Sequence, residues 1–207
     1  MKTKAFVLLA GVIVVAVVCS ILYQRHQYKE AVHSLAVMQS MTPGRTQIDE
    51  VKRVFGKDSG SMSCLSGNCN FTRSFGKMWL ERLIFRKSVS FVVEVSVEEG
   101  MVTNTSASLK VVDHDSWVGV AILRSRQTLC RNPGSSCTSV IVGDDRRTPT
   151  RVVSRLPADP SLEVKQSAYD FDLRCLLPFC RCATIEDIYP KWKRLPDLPP
   201  VVTESRG

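Results

Sequence analysis

The chain has 207 residues, 44% of them hydrophobic and 23% charged, with a formal net charge of +8. That usage excludes a disordered or collagen-like chain, and with a terminal helix set aside it leaves room for one domain with a core of its own. The positive excess falls to +6 without Lys2 and Lys4 and is scattered over Arg146, Arg147, Arg151, Arg155, Lys191, Lys193 and Arg194. A nucleic-acid binder needs a denser basic stripe with interleaved aromatics, so no nucleic-acid partner is expected. A solvated basic surface that also tolerates anionic lipid heads fits better.

From Ala5 to Tyr23 the chain runs 19 residues without a charge, close to what an α-helix needs to cross a hydrocarbon core of about 30 Å. Arg25, His26 and Lys29 follow at once, as at a membrane interface. Residues 1–23 are therefore expected to be an uncleaved transmembrane signal-anchor, with membrane lipid as the partner of residues 5–23. Two competing readings stand beside it. Val18 and Ser20 offer a weak signal-cleavage site, although a cleaved signal has an apolar stretch of only about 7–15 residues. Cys19 offers a lipidation site, although Val17-Val18 lack the small residue that normally precedes a lipidated cysteine. Basic residues lie on both sides of the segment, so charge does not orient it.

Residues 24–41 continue as a juxtamembrane amphipathic helix, with Tyr28, Ala31, Val32, Leu35, Met38 and Met41 at helical spacing. Thr42-Pro43-Gly44 stops it. A second helix is expected with Thr46 as N-cap, Asp49 completing a capping box, Ile48, Val51, Val54 and Phe55 as buried stripe, and Gly56 as its end. The middle reads as antiparallel sheet. Val89, Phe91, Val93, Val95 and Val97 alternate with more polar neighbours, Glu99-Gly100 turns the chain, and Thr103, Thr105, Ala107, Leu109 and Val111 share a face on the return. Further strands are expected over 70–75, 78–85, 116–123, 138–142 and 149–156. A helix from Asp159-Pro160 carries Leu162, Val164, Ala168, Phe171, Leu173 and Leu176. Thr184-Ile-Glu-Asp187 begins a short capped helix that ends at Pro190, and residues 195–207 read as a flexible tail closing a domain of residues 42–194.

Eight cysteines are present. Cys19 lies in the apolar run; the rest form local clusters whose intervening turn residues suit oxidised loops. The expected disulfides are Cys64–Cys69, Cys130–Cys137 and Cys175–Cys182, leaving Cys180 as a free thiol. Zinc is the competing reading, but zinc knuckles want Cys-x2–4-Cys pairs with His or Cys partners, and the three histidines stand apart from the clusters. Redox chemistry of the thioredoxin kind wants Cys-x-x-Cys at a helix start; Cys180-Arg-Cys182 is the nearest approach. No metal or cofactor is expected. The cysteines orient the anchor: passing a short N-terminus to the inside and the domain outside gives them an oxidising space.

Catalytic chemistry finds little support. Asp113-His114-Asp115-Ser116 gathers the right groups, but adjacent strand residues point to opposite faces, and a base must reach its nucleophile. Glu94 and Glu98 fall on the solvent face of a hairpin. No phosphate loop, His-Glu-x-x-His helix or Gly-x-Ser-x-Gly elbow appears. No catalytic residue is expected.

Thr42-Pro-Gly-Arg-Thr46, Val51 and Val54-Phe-Gly56, followed by the strands up to Val112, resemble the helix-plus-sheet unit of SmpA/OmlA-type assembly lipoproteins and the β-lactamase-inhibitor-like fold. The wider pattern, with Cys64/Cys69, Trp79 and Tyr169–Cys182, is similar to uncharacterised bacterial envelope proteins, a resemblance that implies no activity. The expected architecture is α+β: a transmembrane helix, then helices packed on an antiparallel sheet, a C-terminal helix and local disulfides. The expected role is a single-pass protein of the inner membrane, its domain on the periplasmic side, acting as a non-enzymatic interaction or structural module with an envelope protein partner. The alternatives are an enzyme or metal-binding domain whose site assembles only on folding, and an inhibitor-like binder secreted after signal cleavage.

Overall fold

The computed structural model describes residues 2–55, 61–65, 67–76, 87–113, 116–125, 136–145, 147–156, 169–178, 180 and 182–190. The strands expected over 78–85, the helix end at Gly56, the helix start at Asp159-Pro160 and the tail 195–207 lie outside them.

Helix α1 (Lys2–Ser40) is a single helix of 39 residues, so the apolar and amphipathic segments are continuous. Its two parts differ in surroundings. Residues 10–19 are all exposed, whereas Ala31, Ser34, Leu35 and Met38 are buried at spacings of three and four, the stripe by which a helix lies on a sheet. Val32, expected in that stripe, is 42% exposed. At one position from Ala31 it is turned about 100° away.

Helix α2 (Ile48–Phe55) buries Val51 and Phe55. Its start corrects the expected capping box. Thr46 Oγ1 accepts from Thr42 N at 2.9 Å and so closes the turn before the helix, while the Gln47 carbonyl takes the first helical N–H groups, those of Glu50 and Val51. The backbone of this turn is stitched to the sheet. Gly44 N donates to Val102 O, Val102 N to Thr46 O, and Ile48 N to Gly100 O.

The sheet is a seven-stranded antiparallel meander in sequence order, β1 (Ser61–Leu65), β2 (Asn68–Gly76), β3 (Lys87–Glu98), β4 (Met101–Asp113), β5 (Ser116–Ser125), β6 (Ser136–Asp144) and β7 (Arg147–Leu156). Strand β1 was not anticipated. Its composition, Ser-Met-Ser-Cys-Leu, carries no β-branched or aromatic residue, so the usual strand signal is missing, and pairing with β2 creates it. Strands β3 and β4 alternate as period two dictates, burying Val89, Phe91, Val93, Val95 and Val97. Glu99 (φ 51°) and Gly100 (φ 79°) both adopt the left-handed region, the requirement of a two-residue type I′ hairpin. A register shift follows, with Ser96 opposite Asn104 but Val97 opposite Val102. The bulge leaves Thr103 unpaired and turns Val102 inward in its place, correcting the expected inner face of the return strand.

One face of the sheet carries the core. Phe75, Phe91, Phe171 and Tyr189 pack as a chain of rings with centroids 5.7–6.2 Å apart. The latter half of α1 and a short 3-10 turn (Leu173–Leu176) cover this face. The expected helix does not run through to Leu176. Residues 169–172 are not helical, and the turn makes its own start, Asp172 accepting from Arg174 N. Helix α3 (Ile185–Ile188) carries the expected capping box, with Thr184 and Asp187 side chains each accepting from the other's backbone.

Candidate functional site

Three sulfurs meet where the 3-10 turn and α3 close on each other. Asp172 N-caps the turn that presents Cys175, and the Thr184/Asp187 box fixes the start of α3 just beyond Cys182. Cys175 and Cys182 are disulfide-bonded and buried, at 0% and 4% exposure. Cys180 is a half-buried free thiol. Its Sγ lies 2.8 Å from Cys182 Sγ, and Lys87 Nζ donates to its backbone carbonyl at 3.3 Å, tying the loop to the start of β3. Cys175 Sγ lies 3.9 Å from the Asp187 carbonyl, an acceptor for it whenever it carries a proton.

An open cleft of about 550 Å³ adjoins the sulfurs, lined among others by Asp172, Arg174, Leu177, Cys180, Cys182 and Asp187. Arg174 grips the Asp172 carboxylate through both Nε and Nη2. That bond outweighs the opposing cost of partial burial and, with the Arg174 backbone N–H, holds the Asp172 carboxyl below its ordinary value. Backbone donation from Ala183, opposed by partial burial and reinforced by Thr184, does the same for Asp187. The cleft wall is therefore ionised at neutral pH. The three sulfurs lie within 4.8 Å of one another, a spacing that suits a thiophilic ion, but two of them are consumed by the disulfide as folded.

Cys64 and Cys69 are also disulfide-bonded. They face each other directly across the β1–β2 hairpin. Cys19 is a free, exposed cysteine on α1. Cys130 and the Cys137 side chain lie outside the described residues, as do His114 and Asp115. Asp113 ends β4. Glu94 is exposed on the outer face and accepts from Ser106 Oγ at 3.3 Å, well apart in register from Glu98, which pairs with Met101 at the hairpin end.

Two buried polar groupings escaped the sequence reading. Arg124 is 1% exposed and stands in phase with Val118, Val120 and Ile122 on the inner face of β5. Across from it Thr105 Oγ1 meets the Tyr169 hydroxyl at 3.3 Å. Burial pushes the Tyr169 phenol up to about 12, against the smaller opposing pulls of Thr105 and Arg124. Arg73, on the inner face of β2, is 6% exposed. It donates to Ser34 Oγ at 2.9 Å, lies 3.9 Å from Glu30 Oε2, and sits 6.0 Å from the Phe55 ring, so one guanidinium joins α1, α2 and the sheet. The signal for both was a basic residue at an in-phase strand position, a place where a period-two pattern calls for an apolar one.

Comparison with protein-family models, with curated proteins and with solved structures finds no match to this chain.

Proposed function

We propose that the protein is a single-pass, membrane-anchored protein of the bacterial cell envelope, with residues 42–194 on the periplasmic side as an interaction or structural module without turnover. The observation that carries this reading is the contrast along α1. Residues 10–19 are exposed all round the helix, with Val12, Ile13, Val14 and Val15 each at least 55% exposed, while buried positions begin at Ser20 and Gln24 and the helix joins the hydrophobic core from Ala31 onward. Burying an aliphatic side chain stabilises by about 1.5–3 kcal/mol, and lipid supplies that burial for a stretch of this length. Two local disulfides support the oxidising side of the membrane. An envelope partner is the reading for the sheet edge, where all five residues of β1 are exposed, Met62 at 55% and Leu65 at 79%. An edge strand is a ready template for a partner's strand.

The test uses the full chain in a Gram-negative cell. Expected are recovery in carbonate-washed membranes, retention of residues 1–23 by mass, digestion by protease added to spheroplasts, and saturable cross-linking to one envelope protein that a Met62→Lys, Leu65→Lys variant loses. Intact chain in the soluble fraction, or protection from outside protease, would overturn the placement. Unsaturable or variant-insensitive cross-linking would overturn the interaction role.

A further inference from the structure

The sulfur cluster carries an inference beyond anchoring and docking. We propose that Cys175, Cys180 and Cys182 form a thiol–disulfide exchange site in which Cys180 relays oxidation from the buried Cys175–Cys182 bond to thiols entering the cleft. Three observations support it. Cys175 is fully buried and does not line the cleft, and Cys182, which does, is only 4% exposed, so an outside thiol has poor access to the bond. Cys180 is half-exposed, lines the cleft and already stands 2.8 Å from Cys182 Sγ. The sulfur it would release, Cys175, has the Asp187 carbonyl in reach as a proton-accepting partner for the new thiol.

The chemistry balances without an added oxidant. The Cys180 thiolate attacks Cys182 Sγ; the Cys180–Cys182 bond forms, the Cys175–Cys182 bond breaks, and the proton lost by Cys180 goes to the Cys175 thiolate. The disulfide now has an accessible end. An incoming thiolate attacks Cys180 Sγ, expelling the Cys182 thiolate, which takes up the incoming thiol's proton, and leaving a mixed disulfide on Cys180. A second thiol then attacks the mixed disulfide at the incoming group's sulfur, releasing an oxidised disulfide and a protonated Cys180. Two thiols are oxidised and one protein disulfide is reduced. Exchange by a neighbouring sulfur gains from a high effective concentration that a diffusing thiol lacks. Arg174, paired with Asp172, lines the same cleft as Cys180. The ligand class is a low-molecular-weight or peptide thiol.

The experiment uses the oxidised full chain in detergent, in a Cys19→Ala background, with reduced glutathione as probe, acid quenching and peptide mass mapping. Expected is a glutathione adduct on Cys180, with reduction of Cys175–Cys182 slowed about tenfold or more in Cys180→Ser. That variant keeps the disulfide, and its thermal unfolding reports whether the fold survives. A Cys175→Ser variant is expected to contain a Cys180–Cys182 bond after oxidation by air. Equal reduction rates with and without Cys180 would overturn the proposal, as would glutathione found on Cys175 or Cys182 in place of Cys180. Two free thiols in Cys175→Ser under conditions that oxidise the native protein would overturn it too.

Discussion

Arg73→Ala should destabilise the domain by about 3 kcal/mol, because that side chain ties three elements together. Its hydrogen bond to the buried Ser34 hydroxyl has a charged donor, a kind that contributes about 1.5–3 kcal/mol. The Glu30 carboxylate is 3.9 Å away with its side chain 35% exposed, so after solvent screening the pair contributes about 0.5 kcal/mol. The Phe55 face at 6.0 Å adds about 0.5 kcal/mol at the edge of cation–π range. Loss of the aliphatic stem adds cavity cost, while relief of the guanidinium's desolvation acts in the other direction. Urea unfolding of the full chain in detergent, followed by tryptophan fluorescence, reads the result as a lower midpoint at unchanged slope. A Ser34/Arg73 double-mutant cycle should return a coupling of about 1 kcal/mol. A loss under about 1 kcal/mol with no coupling would refute the claim that this contact attaches α1 to the sheet.

Glu99→Asn should stabilise by about 0.5–1 kcal/mol, since Glu99 is held at φ 51° and asparagine tolerates the left-handed region better; an unchanged or lowered unfolding midpoint would contradict this. Burial raises both the Tyr169 and Tyr189 phenols to about 12. Folding therefore favours their neutral forms, and this contribution is complete below pH about 10 and lost as pH rises toward 12; absorbance titration near 295 nm should show both ionising late and together with unfolding. The depressed Asp187 carboxyl works with the opposite sign. Its contribution is present above the ordinary aspartate value near 4 and lost as pH falls below it, so Asp187→Asn should flatten the acid limb of a stability profile and leave the alkaline limb alone.

The strongest periodicities were legible. The nine-residue alternation around Phe91, the Glu99-Gly100 turn and the Thr184–Asp187 box each state a local geometry that tertiary packing did not need to override. The misses have a common cause in long-range pairing. Thr46 has every property of an N-cap, but its hydroxyl closes the turn at Thr42 because the 44–48 backbone is hydrogen-bonded to β4. Thr103 is in phase with Thr105 and Ala107 in sequence, yet the bulge shifts it, and a bulge is a property of two strands. Strand β1 exists only as the partner of β2. In the candidate site, spacing could single out Cys175, Cys180 and Cys182 as neighbours along the chain. It could not place Lys87 on the Cys180 carbonyl or Arg174 over the cleft, since those depend on β3 and the 3-10 turn arriving at one place.

The two proposals meet at α1. The 3-10 turn that carries Cys175 packs on that helix, where Tyr28 packs against the same core that holds Leu173, Cys175 and Leu176. Tyr28 is five residues past Tyr23, the end of the apolar run, so at 1.5 Å of rise per residue it stands about 7–8 Å beyond the hydrocarbon boundary of an anchored chain. On the proposed placement the cleft would open beside the lipid headgroups, and the thiols it met most often would be those of other membrane-bound chains or of segments emerging from the bilayer. A soluble thiol reaches such a cleft at its bulk concentration, whereas a chain anchored in the same membrane approaches it at a higher effective concentration set by its tether. Membrane reconstitution should therefore raise the rate of disulfide delivery to an anchored dithiol peptide while leaving the rate for glutathione unchanged. Equal enhancement of both, or of neither, would separate the sulfur chemistry from the anchor.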